Sequence, residues 1–171
     1  MINFTIGWYV LYVRSRWERK VYESLQEISL ESFLPQIKTV RQWSDRKKTI
    51  KKPLFPSYVF VNIHSSLEFH KALSVNGACS YIRFGKEYAC VTEKEINKIK
   101  LLVNDKHLTN IETTTKFPKV GETKRIDYGP LSGLDCKIIK VENFHKILVR
   151  IESIKQDIVA TLPLHSFEME V

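Results

Sequence analysis

Cationic and aromatic side chains meet in one short stretch of this sequence, residues 46–61. Five basic residues come first: Arg46, Lys47, Lys48, Lys51 and Lys52. Pro53-Leu54-Phe55-Pro56 follows, and then an aromatic segment that begins at Tyr58. Proline fixes φ and restricts the residue before it, so Leu54 and Phe55 are expected in a stiff extended segment. A rigid apolar segment beside a positive one suits docking onto another macromolecule. The alternative is a core strand with an irregular entrance.

The residue types that catalyse reactions or bind metals show no comparable organisation. The five histidines are scattered, and none lies at ligand spacing from a cysteine. There is no Gly-rich phosphate loop and no Gly-x-Ser-x-Gly motif. The cysteines Cys79, Cys90 and Cys136 lack Cys-x-x-Cys spacing, which predicts buried reduced thiols. We therefore expect a protein that is not an enzyme and that needs neither a cofactor nor a metal.

Net charge points to a polyanionic partner. The chain carries 27 basic and 19 acidic residues, for a net charge of +8, which favours nucleic acid over a membrane surface. No apolar run of transmembrane length and no N-terminal leader pattern is present, so we expect a cytoplasmic monomer without a membrane partner. With 171 residues, 43% of them hydrophobic, the chain can form one or two domains with true cores.

The elements that must position these residues alternate between strands and helices over residues 1–103. Gly7 to Val13 predicts a central strand, and further strands are predicted over 31–40, 58–63, 80–84 and 88–91. Residues 41–52 predict a hairpin or a mobile arm. Capping boxes predict three helix starts, at Ser15/Glu18, Ser65/Glu68 and Thr92/Glu95. The first helix should bury one stripe, formed by Trp17, Val21, Leu25 and Ile28. The pattern predicts an α+β chain whose N-terminal domain is an α/β sandwich on a mixed, mainly antiparallel sheet.

The remainder of the chain changes character. Residues 104–117 are polar and threonine-rich, which predicts a linker. Residues 118–171 contain no helical pattern, and five short strands are predicted over 123–127, 135–141, 146–151, 158–162 and 167–171. Five strands in so short a segment predict a small β-barrel that is an interaction module.

Motifs in both parts together resemble the NusG-like transcription elongation factors. The N-terminal motifs are Trp8-Tyr9, Pro53-Leu54-Phe55-Pro56-x-Tyr58-x-Phe60-Val61 and Ile82-Arg83-Phe84-Gly85. In the second part, Val120-Gly121-Glu122 and Gly129-Pro130-Leu131-x-Gly133 resemble the KOW motif that opens that family's SH3-like barrel. Among specialised paralogues such as RfaH, LoaP and UpxY, the arm Gln42 to Lys48 and the Arg83-Phe84-Gly85 run are most similar to the UpxY group.

The resemblance implies a transcription elongation and antitermination factor without catalysis. Such a factor binds the clamp helices of the largest RNA polymerase subunit, reaches the gate loop, and promotes read-through of long operons, here those for polysaccharide biosynthesis. Its further partners are non-template DNA or nascent RNA, and ribosomal protein S10 or Rho through the KOW domain. The alternative is a ribosome- or RNA-binding KOW protein.

The resemblance also assigns residues to surfaces. The polymerase-binding residues are Tyr12, Phe55, Tyr58 and Phe84, with Phe55 and Tyr58 directed outward and Trp8 and Phe60 left in the core. A gate-loop contact falls on Glu68, Phe69, His70 and Lys71, where this sequence departs from the His-Thr-Thr motif of RfaH. Nucleic acid is expected on Arg14, Arg16, Arg19, Lys20, Trp43, Arg46, Lys47 and Lys48, for which a solvated positive face is the alternative. Gly121, Gly129 and Gly133 are expected to form tight turns.

Overall fold

A computed structural model describes residues 4–115, 122–126, 131–141 and 144–162. The chain divides into two compact units between Ile96 and Asn97. Every strand pair among the described residues is antiparallel. Together with three helices this confirms the predicted α+β class. Among these residues, none of the helices has the length and apolar character that crossing a membrane requires.

The first unit is built on a sheet with strand β1 at its centre. In chain order its strands are β1 Gly7–Val13, β2 Ser32–Phe33, β5 Tyr58–Ile63, β6 Ala78–Tyr81 and β9 Cys90–Val91. The spatial order is β2-β5-β1-β6, with β9 also paired to β1. Strand β1 matches its predicted bounds because its aromatic and β-branched residues suit a buried central position. The predicted strand over 31–40 is interrupted at Pro35, which cannot donate to a sheet ladder.

Helices α1 Glu18–Glu27 and α2 Ser66–Leu73 pack on one face of this sheet. That face presents alternate residues of β1, namely Tyr9, Leu11 and Val13, and they join Val21 and Leu25 of α1 in one core cluster. Ile28, the last residue of the predicted stripe, is exposed because α1 ends before it. The opposite face carries Trp8, Val10 and Phe60, which are all buried. This agrees with the core positions predicted for Trp8 and Phe60.

Two of the three predicted capping boxes are confirmed. Ser65 Oγ accepts the Glu68 N–H at 3.2 Å at the start of α2. At the start of α3, Glu93–Asn104, Thr92 and Glu95 exchange hydrogen bonds of 3.0 and 3.2 Å. The Ser15/Glu18 box is wrong: α1 begins after Trp17 with no side-chain cap. Arg16 turns into the left-handed region with φ 67°, so Ser15 lies outside the helix start.

A two-stranded ribbon stands apart from the main sheet. It pairs β3 Gln36–Gln42 with β4 Lys47–Pro53, which selects the hairpin from the two forms expected for this segment. A smaller hairpin, β7 Arg83–Phe84 with β8 Glu87–Tyr88, follows β6 and turns at Gly85, whose φ is 65°. The Ile82 N–H bonds the Val10 carbonyl at 2.9 Å, so this hairpin leaves the sheet beside β1.

The second unit contains a five-stranded antiparallel sheet. Its strands are β10 Thr109–Thr114, β11 Glu122–Arg125, β12 Asp135–Val141, β13 Phe144–Ile151 and β14 Gln156–Leu162, in the spatial order β10-β14-β13-β12-β11. A short 3-10 turn, Glu152–Ile154, joins β13 to β14. Four of the five strands overlap predicted ones. The predicted strand 167–171 lies outside the described residues. The strands that are described form a sheet with β10 and β11 at its two edges, not a closed barrel.

Two further expectations differ from the structure. The predicted linker, 104–117, contains β10, whose threonines suit a strand and which pairs with β14. The domain bounds 1–103 and 118–171 stay predictions.

All three cysteines are free, but only Cys136 is buried, since Cys79 and Cys90 lie on edge strands of the first unit.

Candidate interaction surfaces

An aromatic pair lies exposed on the sheet face opposite α1 and α2. Tyr12 and Tyr58 are direct cross-strand neighbours on β1 and β5, so their side chains share one face. They alternate with Val13 and Val59, which belong to the core cluster on the other face. Tyr12 is 45% exposed and Tyr58 is half-buried. Phe84, on the β7–β8 hairpin, is also exposed.

The outward orientation expected for Phe55 is wrong, because its side chain is only 1% exposed. Its ring stacks behind Tyr58 with centroids 6.4 Å apart and meets Phe60 edge-on at 5.7 Å. The Leu54 N–H bonds the Pro35 carbonyl at 2.9 Å, which turns this segment into the unit. Phe55 therefore supports the aromatic surface from below, and Tyr58 alone of the two can meet a partner directly.

The turn before Tyr58 has an unusual backbone and an unusual partner. Ser57 adopts φ 63°, a left-handed conformation that residues with a Cβ seldom take. Its N–H donates to Glu18 Oε1 at 2.9 Å, and its carbonyl accepts the Val13 N–H at 2.9 Å. Glu18, the first residue of α1, is only 7% exposed. The start of α1 and the end of β1 therefore both hold this turn.

Of the four basic residues expected at the β1–α1 junction, two lie over the Trp17 ring and a third precedes Trp17 in the sequence. The Lys20 ammonium lies 4.2 Å from the indole centroid and the Arg14 guanidinium 5.4 Å, both within cation–π range. Arg16 is exposed in the intervening loop. Arg19 instead pairs with Glu23 at 3.0 Å along the helix. The exposed Arg14 and Lys20 and the half-buried Trp17 thus form one cationic patch, here called the Trp17 patch.

The β3–β4 ribbon concentrates positive charge. It contains seven basic residues and one acidic residue between Gln36 and Pro53, a net charge of +6 in a chain of +8. The register places Lys38 opposite Lys51 and Arg41 opposite Lys48. Directly opposed like charges destabilise a strand pair, so this arrangement carries a cost that the ribbon's own packing does not explain.

An indole stands at the tip of this ribbon. Trp43 is 47% exposed, and the Arg46 guanidinium and Lys48 ammonium lie 5.8 and 5.6 Å from its ring centroid. Lys47 extends from the opposite face of the ribbon to Lys48, because successive side chains of a strand point to opposite faces. All four predicted tip residues are therefore exposed, and three of them form one aromatic and cationic group.

The residues expected at the gate loop fall into two groups. Phe69 is buried, with its ring stacked on Tyr81 at 4.2 Å, so its expected role as a direct contact is wrong. Glu68 is occupied at the start of α2, where its carboxylate accepts the His64 N–H at 2.7 Å. His70 and Lys71 are exposed and remain available.

The described part of the second unit contains one of the expected glycine turns and a partly buried ion pair. Gly133 has φ 84°, as a tight turn requires, whereas Gly121 and Gly129 lie outside the described residues. Asp157 is fully buried and accepts a 3.2 Å hydrogen bond from Arg150, its cross-strand neighbour. Burial raises the pKa of the Asp157 carboxyl, and Arg150 opposes that shift. In the described part of the chain, no three His, Cys, Asp or Glu side chains are grouped to hold a metal.

Sequence reasoning missed three contributors to these surfaces. Trp17 does pack, partly buried, against the core cluster as its place in the predicted stripe implies, but its ring also meets Arg14 and Lys20, and the cations on both sides of it in the sequence were a usable signal for that second role. Lys38 and Arg41 were left out of the basic arm because they precede its dense run, and only the hairpin register brings them opposite Lys51 and Lys48.

Fold and surfaces together define a class of protein: a two-unit α+β chain with an exposed aromatic pair and basic elements in its first unit. A family model described as "Transcription termination factor nusG" matches residues 7–100. The chain belongs to the NusG family, whose members are transcription factors rather than enzymes.

Two solved structures were compared with this chain for their fold. NusG of Thermotoga maritima, from a structure titled "Domain interaction in Thermotoga maritima NusG", is 21% identical, with a TM-score of 0.50 over 91% of this chain and 93% of that one. This match supports the fold. A chain of the MjSpt4:Spt5 complex is 13% identical over 93% of this chain and 94% of that one, with a TM-score of 0.33, too low for a conclusion.

Proposed function

We propose that this protein is an antitermination factor that binds RNA polymerase through an aromatic surface on its first unit. Proteins of the NusG family act with RNA polymerase, so the class of partner follows from the family. The observation that carries the finer proposal is the exposed Tyr12–Tyr58 pair. Aromatic side chains on a rigid support are common interface hot spots.

The clamp helices of the largest polymerase subunit are the proposed docking site for this pair. Sheet pairing joins the two residues across the ends of β1 and β5, and Phe55 fills the space behind Tyr58. Little side-chain and loop ordering is then needed on binding, which leaves more of the contact energy for affinity. Phe84 and the exposed residues His70 and Lys71 are proposed as secondary contacts, the latter two at the gate loop.

Read-through follows if the factor binds the active, closed polymerase more tightly than the paused enzyme. A ligand shifts such an equilibrium by its differential affinity for the two states. We propose that long operons are the targets, in agreement with the resemblance to the UpxY group, whose operons encode polysaccharide biosynthesis.

The proposed nucleic-acid contacts are the ribbon tip and the Trp17 patch. Opposed like charges on the ribbon are relieved when phosphates lie between or beside them, and an exposed indole can stack on an unpaired base. Exposed DNA or RNA at the transcribing polymerase is a ligand with both features. These contacts are proposed to orient the factor, while the aromatic surface supplies attachment.

Transcription and pull-down with purified RNA polymerase test the attachment. Tyr12→Ala with Tyr58→Ala should lose polymerase in the pull-down and lose read-through of a terminator on the cognate leader. Tyr22→Ala is a matched control, because Tyr22 is a partly buried tyrosine that packs against the core cluster on the other sheet face. Normal pull-down by the double variant would contradict the proposal.

Salt dependence tests the nucleic-acid contacts separately. Each phosphate contact contributes a slope of about 0.7–0.9 to the fall of log affinity with log salt. Arg46→Gln with Lys48→Gln should therefore lower the slope for single-stranded nucleic acid by between one and two. The control is Lys94→Gln, an exposed lysine on α3. An unchanged slope would show that the ribbon is merely a solvated positive face.

A further inference from the structure

We infer that Glu18 is a positioning residue for the aromatic surface, because it holds the turn that presents Tyr58. The inference rests on the proposed function, in which Tyr58 contacts the polymerase. Glu18 itself is buried and does not reach the partner.

The hydrogen bond between Glu18 and Ser57 joins two distant parts of the first unit. It spans 39 residues of sequence, from the first turn of α1 to the turn before β5. A glutamate in the first helical turn is favoured by the helix dipole even when it faces water. Here the carboxyl is instead buried, and α1 begins without any side-chain cap. The carboxyl group thus acts on the turn rather than on its own helix.

The turn needs this support because Ser57 is left-handed. A residue with a Cβ is disfavoured at φ 63°, so an isolated Pro-Ser-Tyr segment would relax to an extended backbone. The Glu18 carboxyl accepts the Ser57 N–H in the left-handed conformation, and the Tyr58 N–H closes the turn on the Phe55 carbonyl at 3.1 Å. Tyr58 follows Ser57 directly, so a change of backbone angles at Ser57 redirects its side chain.

Loss of the Glu18 carboxyl should therefore weaken polymerase binding at a distance. Glu18→Ala removes the acceptor. We expect about tenfold weaker binding of purified RNA polymerase, because a tenfold change in affinity corresponds to the loss of one charge-assisted hydrogen bond of modest strength. Glu18→Gln keeps an oxygen at the same position and should bind within about twofold of the unchanged protein.

A second variant separates positioning from general stability. Ser57→Gly removes the backbone penalty at φ 63°, because glycine adopts this region freely. Added to Glu18→Ala, it should recover most of the lost affinity although the hydrogen bond is still absent. Because every variant is measured under conditions where it is folded, a residue that only stabilised the fold would show neither the loss of affinity nor its recovery.

Glu95→Ala provides the matched control for burial. Glu95 is also a glutamate with 7% exposure that accepts a backbone N–H, that of Thr92, but it lies at the start of α3. This variant should lose stability and keep its polymerase affinity. All variants are measured as full chains, at a temperature where circular dichroism shows each one folded.

The outcomes are distinguishable. If the unchanged protein does not bind polymerase, or Tyr58→Ala binds normally, the proposed function fails. If Tyr58→Ala loses binding and Glu18→Ala does not, or Glu95→Ala loses as much as Glu18→Ala, the role of Glu18 is wrong while the function stands. Should Glu18→Ala not fold, Ser57→Val replaces it, since a β-branched residue disfavours positive φ. Normal affinity of a folded Ser57→Val would overturn the inference.

Discussion

Gly77→Ala should destabilise the first unit through one identifiable clash. Gly77 is buried with φ 98°, and its carbonyl accepts the Arg14 N–H at 2.9 Å. A Cβ at this position would lie 2.7 Å from Trp17 Cε3 and 3.0 Å from Val21 Cγ2. Trp17 packs against the core cluster and Cε3 belongs to its fused ring, so this atom cannot move aside as the end of a flexible side chain would.

Two costs add at this position. An alanine in the left-handed region costs about 1–2 kcal/mol relative to glycine. Overpacking a well-filled site costs about 1–3 kcal/mol more. The expected loss is therefore about 2–5 kcal/mol, a large part of the roughly 5–15 kcal/mol by which domains are stable.

Gly85→Ala isolates the backbone cost from the clash. Gly85 has φ 65°, but a Cβ there would meet nothing within 4 Å. This control should lose only about 1–2 kcal/mol. In thermal unfolding followed by circular dichroism, a further 2 kcal/mol at Gly77 corresponds to a midpoint lower by roughly 8–16 °C for a unit of this size.

Trp17→Phe tests which atoms collide. Phenylalanine lacks the fused ring that carries Cε3, so the double variant Gly77→Ala/Trp17→Phe should be destabilised by less than the sum of the single variants, by about 1 kcal/mol. Equal midpoints for Gly77→Ala and Gly85→Ala would refute the reasoning, as would strict additivity of the two changes.

Three further predictions concern buried groups. Phe55→Ala should cost about 3–5 kcal/mol of stability, whereas Tyr12→Ala should cost less than about 1 kcal/mol, which urea denaturation will compare. Burial raises the pKa of Asp157 in the folded state, so the stability of the second unit should decline as pH rises from the ordinary aspartate range through that higher pKa. Asp157→Asn should abolish this decline, as amide exchange in β13 and β14 can show; a pH dependence that survives in Asp157→Asn would contradict it. Burial raises the pKa of the Cys136 thiol to about 11, so iodoacetamide at pH 8 should label the exposed Cys79 first and Cys136 only on unfolding. Early labelling of Cys136 would disprove its burial.

Sequence patterns predicted the elements of the first unit where local chemistry decides them. The strand from Gly7 to Val13 and the capping boxes at Ser65 and Thr92 rest on contacts within a few residues. The Ser15/Glu18 box has the same local pattern and failed: Arg16 turns left-handed after Ser15, and the Glu18 carboxyl accepts an N–H 39 residues away instead. A long-range hydrogen bond leaves no periodic signal in a single sequence.

The exposed surface was predicted less well than the elements. Motif resemblance selected Phe55 and Tyr58 together, but it could not tell that the stacked ring of Phe55 faces the core while Tyr58 pairs with Tyr12 at the surface. Orientation at a turn depends on one backbone angle, here that of Ser57. The ribbon's opposed cations depend in the same way on a detail that the sequence does not encode locally, the register of its two strands.

The end of β1 connects the aromatic surface to the Trp17 patch. The Val13 N–H bonds the Ser57 carbonyl, which fixes the turn beside Tyr58, and the next N–H, that of Arg14, bonds the Gly77 carbonyl beneath Trp17. Adjacent backbone groups at the end of β1 and just beyond it thus anchor the supports of both surfaces. Their relative placement is set within the first unit, so the proposed binding of polymerase and of nucleic acid would require little further ordering. If both proposed contacts are made, such a factor would recognise exposed nucleic acid at one fixed distance from the polymerase more readily than a factor whose contacts lie on independent flexible arms.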